Sequence, residues 1–74
     1  MQAREIRQWT DEEIRARLEE AYRELFNLRQ EWYLGRLEDH NRITAVKRDI
    51  ARMKTILRER ELAREMQKQQ GGAQ

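Results

Sequence analysis

Gly35-Arg36-Leu37-Glu38-Asp39-His40-Asn41 is the stretch that decides the fold. The chain has no proline, and two of its three glycines fall in the last four residues, so nothing before Gly35 breaks a helix. Gly35 can take the left-handed conformation that ends a helix. Asp39 or Asn41 can then accept a backbone N–H and start the next one. A connection this short between two helices makes them antiparallel neighbours.

Upstream of the break, Ile14, Leu18, Ala21, Leu25, Leu28 and Trp32 are spaced 4, 3, 4, 3, 4, an apolar heptad seam on one helix face. Downstream, Ile43, Val46, Ile50, Met53 and Leu57 are spaced 3, 4, 3, 4. At 1.5 Å per residue the seams run about 27 and 21 Å, close enough to pair. Thr10 marks the start of the first helix. Its hydroxyl can cap the N–H of Glu13, and Glu13 can reach back, a capping box; Trp9 and Ile14 have the spacing of a hydrophobic staple. Asp11, Glu12 and Glu13 put negative charge on the positive end of the helix dipole.

The expected fold is therefore all-α, an antiparallel two-helix hairpin. Residues 3–8 allow a short N-terminal helix, with Ile6 and Trp9 folding back onto the hairpin. Residues 1–66 form one domain, with a helix over about 10–34, a loop over 35–41 and a helix over about 42–65. Past Leu57 the seam positions become Arg60 and Arg64, and residues 67–74 read as a flexible polar tail.

Composition narrows the function. At 74 residues, a lone domain buries only about 60% of its unfolded surface and generally needs a staple. There is no cysteine and only one histidine, His40, so neither a disulfide nor a zinc cluster can serve; a partner is the staple that remains. No nucleophile–base pair, glycine-rich phosphate loop or metal-ligand cluster is present, so no catalytic residue, cofactor, metal or small-molecule substrate is expected. No apolar run approaches the roughly 18 residues of a membrane span. Without a signal-peptide core at the N-terminus, the expected location is the cytoplasm.

The net charge is only +2, but it is unevenly placed. Between Arg42 and Arg58 lie six basic side chains and one acid, Asp49. On a helical wheel Arg48, Arg52 and Thr55 lie opposite the seam, flanked by Thr44, Ala45 and Ala51, with Lys47, Lys54 and Arg58 on one shoulder and Arg42 on the other. Arg48 and Arg52, four residues apart, repel each other in a free helix. RNA phosphate relieves that repulsion and accepts bidentate guanidinium bonds. The expected RNA-binding set is Arg42, Lys47, Arg48, Arg52, Thr55 and Arg58. The alternative is a merely solvated face, with Asp49 partly satisfying Arg52. Beside the first seam runs a second stripe, Tyr22, Phe26 and Tyr33. It is either covered by Ile6 and Trp9 or open to contact another protein or an unstacked base. His40, in a loop beside Asp39 and Asn41, reads as a surface or capping residue.

Glu24-Leu25-Phe26-Asn27-Leu28-Arg29, Gly35, Leu37-Glu38, Arg42-Ile43 and the long run Val46-Lys47-Arg48-Asp49-Ile50-Ala51-Arg52-Met53-Lys54-Thr55-Ile56-Leu57-Arg58-Glu59-Arg60-Glu61 resemble bacterial large-subunit ribosomal protein twenty-nine. The opening Trp9-Thr10-Asp11-Glu12-Glu13 is also similar to that family's start, and the likeness covers about residues 4–61. The resemblance implies a helical hairpin, with a short extra N-terminal helix in many members. It also implies a structural, non-enzymatic protein seated on large-subunit ribosomal RNA at the rim of the peptide exit tunnel. Large-subunit ribosomal protein twenty-three would be its neighbour, and chaperones or targeting factors dock on that rim. The chain departs from the family at Gln30-Glu31-Trp32-Tyr33-Leu34, where the family commonly has Phe-Gln-x-Ala; the family glutamine falls on Glu31, an acid that phosphate repels.

Two rival readings use the same residues. One is an interaction module in which the seams and the Tyr22, Phe26, Tyr33 stripe pair two hairpins into a four-helix bundle. The other is a DNA-binding helix, although no helix-turn-helix spacing or zipper is present.

Overall fold

The computed structural model describes residues 1–72. Three helices follow in order, α1 (Ala3–Ile6), α2 (Asp11–Tyr33) and α3 (Asn41–Gly72). The long pair, α2 and α3, forms the antiparallel hairpin, and α1 lies on α3. The molecule measures 60 × 20 × 17 Å, a rod whose long sides make up most of its surface.

The local signals behave as the residue types dictate. Thr10 is extended, and its Oγ1 accepts the Glu13 N–H at 3.1 Å. Only this half of the capping box forms among the described residues. Gly35 has φ +72°, and the chain closes there in a Schellman arrangement: Arg36 N–H donates to the Glu31 carbonyl at 2.8 Å and Gly35 N–H to the Trp32 carbonyl at 3.0 Å. A Cβ at Gly35 would meet open space, so glycine is favoured there for its backbone alone. Of the two candidate caps for the next helix, Asp39 acts; its Oδ1 accepts the Asn41 N–H at 2.9 Å. α3 then runs beyond the expected end at 65 as far as Gly72, and residues 73 and 74 of the expected tail lie outside the described residues.

The core is two clusters in line. Near the turn, Leu25, Leu28, Val46 and Ile50 are buried, flanked by Leu37 and Ile43. At the other end Ile6, Ile14, Met53 and Ile56 are buried, with Ala3, Trp9 and Leu57 packed around them. Leu18 and Ala21 touch both clusters. Ile6 is fully enclosed, and burying such a side chain contributes about 1.5–3 kcal/mol.

Two details differ from the seam expectation. Ile56, not Leu57, is the deeply buried residue at the end of the α3 stripe. A straight α-helix drifts about 20° per heptad against a strict 3.5 repeat, and α1 covers the flank onto which the drift carries Ile56. Trp32 is 58% exposed and does not fill the seam; Leu37 from the loop packs against that end of the core instead. Trp32 meets the His40 ring edge-on, with centroids 6.1 Å apart. Ile6 and Trp9 do fold back onto the hairpin, at the far cluster, and of the two readings of the Tyr22, Phe26, Tyr33 stripe the open one holds.

Where the apolar seam of α3 runs out, an ionic clasp continues it. Arg60 donates to Asp11 Oδ1 at 2.7 Å and to the Arg7 carbonyl at 3.1 Å, and Arg64 also bonds Asp11. One guanidinium thus ties α3 to the start of α2 and to the turn after α1. The hydrogen bonds from Arg60 and Arg64 hold the Asp11 carboxyl below its ordinary value of 3.8.

Candidate nucleic-acid interface

The basic residues of α3 are set by its periodicity. With Val46, Ile50, Met53 and Ile56 turned into the core, Lys47, Arg48, Arg52, Lys54, Thr55 and Arg58 are left exposed. Lys47 and Arg48 have no ion-pair partner among the described residues. Arg42 reaches Glu24 at 3.4 Å and Arg58 reaches Glu61 at 3.5 Å. Both pairs are well exposed, and exposed pairs are worth only about 0–1 kcal/mol, so a phosphate could displace either carboxylate.

Arg52 and Thr55 are placed differently. Arg52 donates to the Met1 carbonyl, because α1 brings the start of the chain alongside α3. Asp49 pairs with the Met1 amino group at 3.6 Å; no bond joins it to Arg52. Thr55 Oγ1 donates back to the Ala51 carbonyl at 2.8 Å, which leaves its oxygen lone pairs available as acceptors. A shallow groove between α1 and α3 is lined by Ala3, Arg7, Ala51, Arg52, Thr55, Ile56 and Glu59. The Arg52–Thr55 side of the expected set is therefore edged by the N-terminal helix, while Lys47 and Arg48 stand clear.

A second surface adjoins the basic one. Tyr22, Phe26 and Tyr33 are 44%, 61% and 90% exposed. Lys54 bridges the two helices here, with its Nζ 5.7 Å from the Tyr22 ring centroid. Toward the turn the stripe opens into a groove of about 400 Å³ lined by Phe26, Arg29, Gln30, Tyr33 and Leu34. Neither Lys54 nor Arg29 is in the expected binding set. The helical wheel puts Lys54 on the shoulder with Lys47 and Arg58, and Arg29 stands three residues after Phe26 and four before Tyr33. That signal was present in the sequence, but only the hairpin register puts Lys54 against Tyr22.

Fold and surface define a class: a small helical hairpin whose exposed sides carry cations, aromatic rings and shallow open grooves. A family model described as Ribosomal L29 protein matches residues 4–60. The chain is 54% identical over 67 residues to the large ribosomal subunit protein uL29 of Roseiflexus sp. (strain RS-1), covering 90% of this chain and 94% of that one. It is 56% identical over 62 residues to the protein of the same name from Thermosipho melanesiensis, covering 84% and 94%. With that of Geobacillus stearothermophilus it is 54% identical over 63 residues, covering 85% and 96%. The chain belongs to the ribosomal protein L29 family.

Proposed function

We propose that this chain is a structural constituent of the large ribosomal subunit that binds large-subunit ribosomal RNA near the peptide exit tunnel. The family match supports the subunit, since relatives covering most of the chain bear that name. The observation that carries RNA binding is the exposed basic side of α3, with Lys47 and Arg48 unpaired among the described residues. Arg42, Lys47, Arg48, Arg52 and Arg58 neutralise phosphates, and Thr55, whose hydrogen is given to the Ala51 carbonyl, offers its oxygen to a donor such as a ribose 2′-hydroxyl. Such contacts fix position and do not read sequence. Arg42 and Arg58 exchange a carboxylate for a phosphate. Arg52 either keeps the Met1 carbonyl or releases it. In this reading large-subunit ribosomal protein twenty-three is the protein neighbour, chaperones or targeting factors approach the same rim, and the protein is cytoplasmic and ribosome-bound.

The test is assembly. The Arg48→Glu, Arg52→Glu double variant, expressed in place of the natural chain, is expected to be depleted from large subunits while keeping its helical circular dichroism. Undiminished incorporation would remove α3 from the RNA interface. A four-helix dimer in its place would show as self-association of the free protein that ribosomal RNA does not alter.

A further inference from the structure

The aromatic stripe of α2 sits beside the cations of α3, and the phosphate contacts proposed for Arg42, Lys47, Arg48, Arg52 and Arg58 leave it unused. Tyr22, Phe26, Arg29 and Tyr33 are spaced 4, 3, 4, so they project from one face of the helix like a seam. Among the described residues no helix covers them; α1, the element free to do so, packs at the Ile14–Ile56 end. The groove between Phe26 and Leu34 has one ionised side chain in its lining, Arg29, and no carboxylate. Lys54 continues the positive charge past Tyr22. The face therefore offers flat rings, one amide (Gln30), a cation among the rings (Arg29) and a second cation beside Tyr22 (Lys54).

We infer that this face is a base-stacking site: unpaired nucleotides of the ribosomal RNA lay their bases on Phe26 and Tyr33, about two helical turns apart, while Arg29 and Lys54 hold the flanking phosphates. The inference rests on the ribosomal RNA reading above and extends it from α3 to α2. Charge complementarity selects the occupant. A purely apolar helix would leave Arg29 desolvated without a partner, whereas a nucleotide brings a π-face for the rings and an anion for the guanidinium. Gln30 can bond the base edge through its amide, which both donates and accepts. Base–aromatic stacking is sequence-tolerant and sizeable, and single-stranded RNA is recognised by this combination.

The test uses the full chain bound to deproteinised large-subunit ribosomal RNA. Ultraviolet irradiation followed by mass spectrometry locates nucleotide adducts. Binding is compared with that of the Phe26→Leu, Tyr33→Leu variant, which keeps apolar bulk on two exposed positions but removes the flat faces. The expected result is a nucleotide adduct on Phe26 or Tyr33, with binding weakened about tenfold in the variant. Adducts confined to α3, with the variant binding as tightly as the natural chain, overturn the stacking site and leave the α3 reading standing. Absence of any adduct or binding overturns both. In intact subunits, a crosslink from Phe26 or Tyr33 to a protein neighbour with none to RNA also overturns the stacking site.

Discussion

The two ends of the hairpin are closed by different means. At the turn, Leu25 and Leu28 face Val46 and Ile50, Leu37 and Ile43 flank them, and a Schellman closure at Gly35 sets the chain reversal. Two helices and a short loop suffice there, because the loop fixes the register covalently. At the open end nothing joins α2 to α3 in sequence. Burial there depends on a third element, with Ile6 of α1 inserted among Ile14, Met53 and Ile56. Beyond it the contact becomes ionic, with Asp11 held by Arg60 and Arg64. A thin two-helix seam can be extended by borrowing a short helix and then by pairing charges at a helix N-terminus, where a carboxylate already favours the dipole.

The largest way to break this contrast is to empty the open end. Ile6→Ala is expected to cost about 2–5 kcal/mol, the range for truncating a fully buried isoleucine. Urea unfolding followed by circular dichroism measures the loss. Hydrogen exchange should show where it falls: amides around Ile14 and Met53 lose protection first, while those around Leu28 and Ile50 keep theirs. Equal loss at both ends would mean the clusters act as one unit.

A smaller effect sharpens the ionic part. The Asp11 carboxyl is depressed in the folded protein by Arg60 and then Arg64, so the folded state binds its proton less readily than the unfolded chain does. The clasp's contribution is fully present above the ordinary value of 3.8 and is lost as pH falls through the lowered folded value. Asp11→Asn should therefore lower stability at neutral pH, and the gap from the natural chain should close in strong acid. A gap constant from neutral pH down to pH about 2, below the ordinary carboxylate range, would contradict the clasp.

Much of this was readable from residue types. Thr10 with Glu13 places the start of α2, Gly35 its end, and the 3–4 spacing gives both apolar faces. What escaped depends on a third body. Ile56 is buried because α1 sits beside it, whereas a two-helix wheel assigns that depth to Leu57. Trp32 has the right phase but lies at the hairpin's edge, where Leu37 fills the end of the core. Arg60 and Arg64 read as the point where the seam fails; only the antiparallel register brings Asp11 to them. In the candidate interface, the exposed cations followed from periodicity alone. The link between Lys54 and Tyr22, and the Met1 carbonyl on Arg52, needed the fold.

The central claim is that a polyanion is held along α3 by its cations, and salt dependence tests it most directly. Binding of the natural chain to deproteinised large-subunit ribosomal RNA is measured across a range of salt concentrations. Phosphates neutralised by Arg42, Lys47, Arg48, Arg52 and Arg58 predict a log–log slope of about −3.5 to −4.5, at about 0.7–0.9 per phosphate, and phosphates on Arg29 and Lys54 would steepen it by about 1.4–1.8. The Lys47→Gln, Arg48→Gln variant should lose about 1.5 of that slope. A slope near zero, or one that this variant leaves unchanged, would contradict the account.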